Sequence, residues 1–362
     1  SWVTVAREVV IASADGCGGT FSVTVTASVL SADIQANTNA CAGQTLDFEA
    51  GSGFGSYVWD FSIGELSHSP ALVFADPAAS MAFASGNVYD NVTVVDSAGQ
   101  YFAFLTNVSS IARADLGADP TTPPTYQPLN VSNSQTFAEL ELVYDSLTGQ
   151  WVGFRGQQNE NLMRLRFDSL TDASPSTEQI NLSAIGAGQI KAVELYEPSP
   201  DNKQLLLASF NQPYLIRLSM GGSWTNAPLA IDTVMNGGNP SHDIVLKQSC
   251  DSTLVLGLAA DGNTFYRLTF LDSLQTNPAN IDTFATLPDG VNHMTTYNRF
   301  GQSYLYASVA NQLRGFEFMQ DFSGNVSLDV QMNTGEYSGL ALVWYQGRVL
   351  GFSTNRATGV FS

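Results

Sequence analysis

The chain has 362 residues, 44% of them hydrophobic, and sets 14 Lys plus Arg against 33 Asp plus Glu for a formal net charge of -19. That length allows two or three hydrophobic cores. So acidic a surface repels phosphate, which excludes nucleic acid and anionic membranes as expected partners, and no apolar run reaches the roughly 20 residues needed to cross a bilayer as a helix, so no direct membrane insertion is expected.

In chain order, the first stretch contains Ala14-Asp-Gly-Cys17 and Thr20-Phe-Ser-Val-Thr-Val-Thr-Ala-Ser28. These read as the last strands of a truncated sandwich module over residues 1–30, which makes a piece of a longer protein the simplest expectation. Residues 31–112 carry Ala40-Cys-Ala-Gly-Gln-Thr-Leu-Asp-Phe48, Ser56-Tyr-Val-Trp-Asp-Phe61 and two later alternating runs around one central tryptophan, Trp59. That is the spacing of an immunoglobulin-like sandwich. Residues 113–124 are rich in Pro, Thr and Asp and read as an extended connector.

From Phe137 a pattern recurs about every fifty residues. Asn161-Leu-Met-Arg-Leu-Arg-Phe167 returns as Tyr214-Leu-Ile-Arg-Leu-Ser-Met220, as Thr264-Phe-Tyr-Arg-Leu-Thr-Phe270 and, more loosely, as Gln312-Leu-Arg-Gly-Phe-Glu-Phe318. Each copy has a strand before it, another upstream of that, and a fourth after it. Four short strands per period is the signature of a β-propeller, whereas a helical solenoid would show apolar spacing near 3.6. The fifth copy stops inside its third strand. Thr125-Tyr-Gln-Pro-Leu-Asn-Val-Ser132 resembles the fourth strand Thr177-Glu-Gln-Ile-Asn-Leu-Ser183, so an N-terminal strand is expected to complete the last blade. The expected fold is all-β: sandwich modules followed by a propeller over 125–362, five-bladed and closed by that strand.

Chemistry is sparse. There is no Gly-x-Ser-x-Gly elbow, no His-Glu-x-x-His, no phosphate loop and no Cys-x-x-Cys, so no catalytic residue, cofactor or metal is expected. His242 and His293 open successive innermost strands and Lys191 opens the one before, which places the three at one mouth of the central channel as a candidate site for an anion, a sugar or a metal, the metal least favoured because no carboxylate shares the register. Arg164, Arg217 and Arg267 share one register, as residues that tie neighbouring loops through carbonyls or carboxylates would. Trp224, Tyr214 and Trp344 are expected to pack rather than to stack on sugar. Cys17 and Cys41 are candidates for a bridge across the module junction, and Cys250 reads as a structural thiol.

Three resemblances extend this reading. Trp59-Asp-Phe-Ser-Ile-Gly64 resembles the Trp-Asp-Phe-Gly-Asp-Gly motif of PKD modules, without its second acidic residue. Asp-Ser/Thr followed by a small or aliphatic residue resembles the O-glycosylation acceptor of exported Bacteroidota proteins, which makes Ser97, Ser146, Ser169, Thr233, Ser252 and Ser273 candidate glycan sites. The combination of PKD-like modules, acidic lysine-poor surface and propeller resembles the large cell-surface adhesins of that phylum, exported by the type IX system and in some cases serving gliding motility. The resemblance implies a non-enzymatic extracellular protein with a sandwich stalk and a propeller as display or ligand-binding head. Its partners would be a glycan or protein ligand on a surface, or neighbouring subunits of a surface assembly. The alternative is a secreted polysaccharide-active propeller enzyme, lyase or hydrolase, or a carbohydrate-binding module of one.

Overall fold

The computed structural model describes residues 91–361, except loop positions 108, 132–137, 239, 249–251, 272–273, 275–276, 288–289, 300–301, 310–311, 319–321, 323–325, 334–336, 346–347 and 356–359. Of residues 1–90 it describes six strands: β1 (Val3–Val10), β2 (Thr20–Ala27), β3 (Ile34–Ala36), β4 (Phe48–Ala50), β5 (Phe61–Ile63) and β6 (Met81–Ala82). The sandwich modules therefore lie, up to residue 90, largely outside the described residues, as do Cys17, Cys41 and Cys250.

Beyond that point the chain is all-β and forms a propeller of four-stranded antiparallel sheets, all but the last a meander running from ring axis to rim. The five repeats read from the sequence each supply one blade. They are β11 to β14 (Leu140–Asp145, Gln150–Gly156, Asn161–Phe167, Ser176–Asn181), β15 to β18 (Ile190–Ser199, Asn202–Ser209, Tyr214–Gly221, Ala230–Met235) and β19 to β22 (Ser241–Gln248, Thr253–Ala259, Thr264–Phe270, Asn280–Thr286). Then come β23 to β26 (Val291–Arg299, Gln302–Val309, Gln312–Phe318, Val326–Asn333) and β27 to β29 (Tyr337–Tyr345, Arg348–Asn355, Val360–Phe361).

A further sheet, β7 to β10 (Asn91–Ser97, Gln100–Thr106, Ile111–Gly117, Thr125–Pro128), stands between the last repeat and the first. Its innermost strand β7 touches both β27 and β11, which closes the ring. This corrects the expected boundary, because residues 91–117 belong to a blade rather than to a sandwich and a connector. Short strands alternating with period 2 serve both folds equally, so the pattern could not separate them.

Closure by an N-terminal strand is also corrected in detail. Thr125–Pro128 pairs with β9, not with the last repeat, and is the outermost strand of its own sheet. The last repeat takes its fourth strand from β6, with Val360 opposite Ala82 and Phe361 opposite Met81. The resemblance of 125–132 to 177–183 therefore named the strand's role correctly and its sheet wrongly.

The core lies between blades. Val152, Phe154 and Leu162 of one blade pack on Val193, Leu205, Leu207 and Trp224 of the next. Leu206, Ala208 and Leu215 pack onward against Ile244, Val255 and Leu268. Middle strands such as β20, Thr-Leu-Val-Leu-Gly-Leu-Ala, are buried along their whole length because a neighbour covers each face. Rim strands are polar: in β14 only Ile180 is buried, and in β18 only Val234. Gly339 permits the junction of last and first sheets, since a Cβ there would lie 2.6 Å from Asn91 Cα and 2.8 Å from Val92 N.

The arginine series holds the blades together, as its recurrence predicted. Arg164 is buried and donates to Trp224 O at 3.1 Å, to Asn226 O, and to Glu178 Oε2 at 2.6 Å. Arg267 repeats this with Phe322 O at 2.8 Å and Asp282 Oδ2 at 2.8 Å, and Arg217 pairs with Asp232 at 2.8 Å. Each binds the rim strand of its own sheet, and Arg164 and Arg267 also bind a loop of the next. Arg113 of the first sheet likewise reaches a loop of the next, donating to Leu170 O at 2.7 Å, but its carboxylate partner Asp115 lies on its own strand β9.

Candidate functional site

The innermost strands set the polar groups of the axis, and a bulge repeats near the start of four of them. The pairing register slips between Ile190 and Ala192, Ser241 and Asp243, Val291 and His293, and Tyr337 and Gly339. Lys191 and His242 are the extra residues of their bulges, as are Asn292 and Ser338 in the next two blades. His293 is one step further on, at the register of Ala192, Asp243 and Gly339. The expected ring of Lys191, His242 and His293 thus splits into two groups. The equal spacing of 51 hid a difference of one residue in register, because a bulge re-aims a side chain.

The first group is Lys191, His242 and Phe210. Lys191 Nζ lies 5.4 Å from the centroid of the Phe210 ring, and His242 meets the same ring edge-on at 5.9 Å and 77°. All three are half-buried. His242 Nδ1 is enclosed and has no hydrogen-bond partner among the described residues, and burial depresses the pKa of the ring with the Lys191 charge adding to the effect and Asp243 opposing it.

The second group consists of carboxylates that sequence reasoning missed. His293 Nδ1 lies 3.2 Å from Asp243 Oδ2 and 3.5 Å from Glu139 Oε2, and all three side chains are buried. The other ring nitrogen, Nε2, sits 3.1 Å from Leu340 O. Asp243 accepts from Met294 N at 2.7 Å and from its neighbour Ile244 N at 2.8 Å, and Glu139 accepts from the Val193 backbone. Through Val193 and Met294, Glu139 and Asp243 each reach the backbone of the next blade's inner strand. Glu194 follows suit with Leu246.

Glu141 and Glu194 lie at one register of adjacent blades, opposite Phe154 and Leu206, which in turn face Arg164 and Arg217. Burial raises the pKa of Glu139 and Glu194 well above the usual carboxylate range and that of Glu141 to about 7. Burial depresses Lys247, with Glu194 and Glu141 opposing it. For His293 burial acts downward, but the charge and hydrogen bond of Asp243 carry the ring above its ordinary value. The missing signal was available: Glu139, Glu141, Glu194 and Asp243 are acidic residues in or beside apolar inner strands, where water-facing alternation does not call for them.

Trp224 is buried and packs edge-on against Phe154 at 6.1 Å, and Tyr214 donates to Ile185 O at 2.9 Å, so both serve packing. The side chain of Trp344 lies outside the described residues. Of the candidate glycan acceptors, Ser146, Ser169 and Thr233 are exposed, Ser97 and Ser252 are half-buried, and Ser273 is outside the described residues. No helix among the described residues is long and apolar enough to cross a membrane.

No protein-family model matches the chain, and no curated protein matches it. Among solved structures it is similar to a GH43 β-1,3-galactosidase, with TM-score 0.48 and 10% identity over 70% of this chain and 63% of that one. It is similar to the exo-β-1,3-galactanase of Phanerochaete chrysosporium, with TM-score 0.48 and 9% identity over 78% and 70% of the two chains. It is also similar to the Swd1 β-propeller domain of Myceliophteria thermophila, with TM-score 0.44 and 12% identity over 76% and 95%.

Proposed function

We propose that the propeller is the ligand-binding head of an exported surface protein, and that it takes a glycan at the axis end marked by Lys191, Phe210 and His242. One observation carries the reading: two bulges bring an ammonium and an imidazole, whose Nδ1 has no partner among the described residues, against one aromatic ring. An aromatic face packs on a sugar ring, and the flanking donors fix its hydroxyl or carboxylate groups. In a chain of net charge -19, a cation held at this end favours an acidic sugar. Calorimetry of the full chain against acidic and neutral oligosaccharides tests this. Binding of an acidic member, weakened about 10-fold or more in Lys191→Met, supports it; no binding across the panel, or binding indifferent to Lys191→Met and His242→Asn, overturns it.

A second reading, a secreted polysaccharide-active enzyme, is favoured by Glu141 and Glu194, two half-buried carboxylates at one register of adjacent blades. Glycosidic acid–base chemistry uses such a pair. Release of reducing ends in the same panel, lost in Glu141→Gln, separates turnover from binding.

A further inference from the structure

From Glu139, Asp243 and His293 we infer a binding site for a divalent first-row metal ion, zinc above all, at the ring axis. One ligand atom from each of the three lies within 4.8 Å of the other two. The two measured edges, 3.2 Å from His293 Nδ1 to Asp243 Oδ2 and 3.5 Å to Glu139 Oε2, bracket the separation of about 3.4 Å between donors that sit about 2.1 Å from a tetrahedral zinc. One imidazole and two carboxylates form a mixed donor set that suits zinc better than calcium, which asks for six to eight oxygens.

The outer contacts point the same way. A carbonyl only accepts, so the Nε2 facing Leu340 O keeps its proton, and Nδ1, turned toward the two carboxylates, is the nitrogen that gives up its proton to a metal. A metal-bound histidine is oriented by this kind of N–H to carbonyl bond, and a metal-bound carboxylate by backbone donors such as Met294 N on Asp243. Exposure is 7% for Glu139, 3% for Asp243 and 7% for His293, so water does little to screen the carboxylates. Converging buried carboxylates repel one another unless a cation stands between them. A bound ion would tie three blades together at the axis, since the ligands come from the second, fourth and fifth sheets.

The test uses the full chain after dialysis against a chelator, titrated with Zn2+, Mn2+ and Ca2+ by calorimetry. The expected result is one equivalent of Zn2+ bound more tightly than Ca2+, with a rise in melting temperature of about 5 °C or more that chelator reverses. The near-isosteric Asp243→Asn and His293→Gln should each weaken zinc at least about 100-fold, while Glu160→Gln, on an exterior turn, leaves it unchanged. Should the variants fold poorly, Cu2+ bound to the wild-type chain must show hyperfine coupling to a single imidazole nitrogen. Zinc binding that is absent, or that survives both substitutions in folded protein, or copper with no nitrogen coupling, overturns the site.

Discussion

At the scale of single residues, recurrence and role agree best in the arginines. Arg164 has 1% of its side chain exposed and satisfies two carbonyls of the next blade, whereas Arg217 has 12% exposed and pairs with an Asp232 that is 47% exposed. Removing the first strands buried acceptors at about 1–3 kcal/mol together with lost packing, while an exposed pair contributes at most about 1 kcal/mol. Arg164→Met should therefore lower urea-unfolding stability by about 2–4 kcal/mol and Arg217→Met by about 1 kcal/mol or less; equal losses would contradict the account. The pair also has a pH signature. The hydrogen bond from Arg164 comes first among the causes that hold the Glu178 carboxyl below its ordinary value of 4.5. A depressed folded pKa contributes stability above the ordinary value and loses it as pH falls through the folded one, so Glu178→Gln should flatten the stability curve below about pH 4.5.

At the scale of elements, the sequence disclosed the repeat and hid its exceptions. Strands from Leu140 onward were legible because apolar middle strands and the Arg-Leu step recur together. The sheet from Asn91 was missed although its marker was present: Arg113, in Ile111-Ala-Arg-Ala-Asp-Leu-Gly117, stands 51 residues before Arg164, within the spacing of the later copies. Arg113-Ala lacks the following leucine, and the strand passes directly into Pro-rich sequence that reads as a connector. The candidate site was half legible for a similar reason. Residue spacing located Lys191 and His242, but a bulge that moves His293 to another layer is a matter of pairing, which spacing does not record. Pairing also explains Gly339, where β27 meets β7. Gly339→Ala should cost at least about 3 kcal/mol, because the atoms met by the new Cβ are backbone and the two strands must part. Gly186→Ala, at φ +61 with nothing within 4 Å, should cost only about 1 kcal/mol. Comparable losses in urea unfolding would remove the steric argument.

At the scale of the whole molecule, the propeller leaves rim strands with free edges, and such edges invite pairing with another chain unless charge or bulk covers them. The net charge of -19 supplies one cover. The candidate glycan sites would supply another. Thr233 is exposed on the rim strand β18, and Ser146 and Ser169 are exposed in turns, so a sugar on any of them meets solvent without disturbing the core. Asp145, beside Ser146, is fully buried and accepts from Ser223 Oγ and Leu147 N, which anchors that turn while Ser146 stays outside. Ser97 and Ser252 are half-buried and offer a transferase less room. If the chain is exported as a glycoprotein, intact mass of the native molecule should exceed the 38.7 kDa of the bare chain, with peptide mapping placing sugar on Ser146, Ser169 and Thr233 ahead of Ser97 and Ser252. Sugar confined to the half-buried pair would show that exposure does not govern the choice. Five bare sites would remove the reason for reading these tripeptides as acceptors, and with it one of the two supports for a surface role, leaving the axis site to carry that role alone.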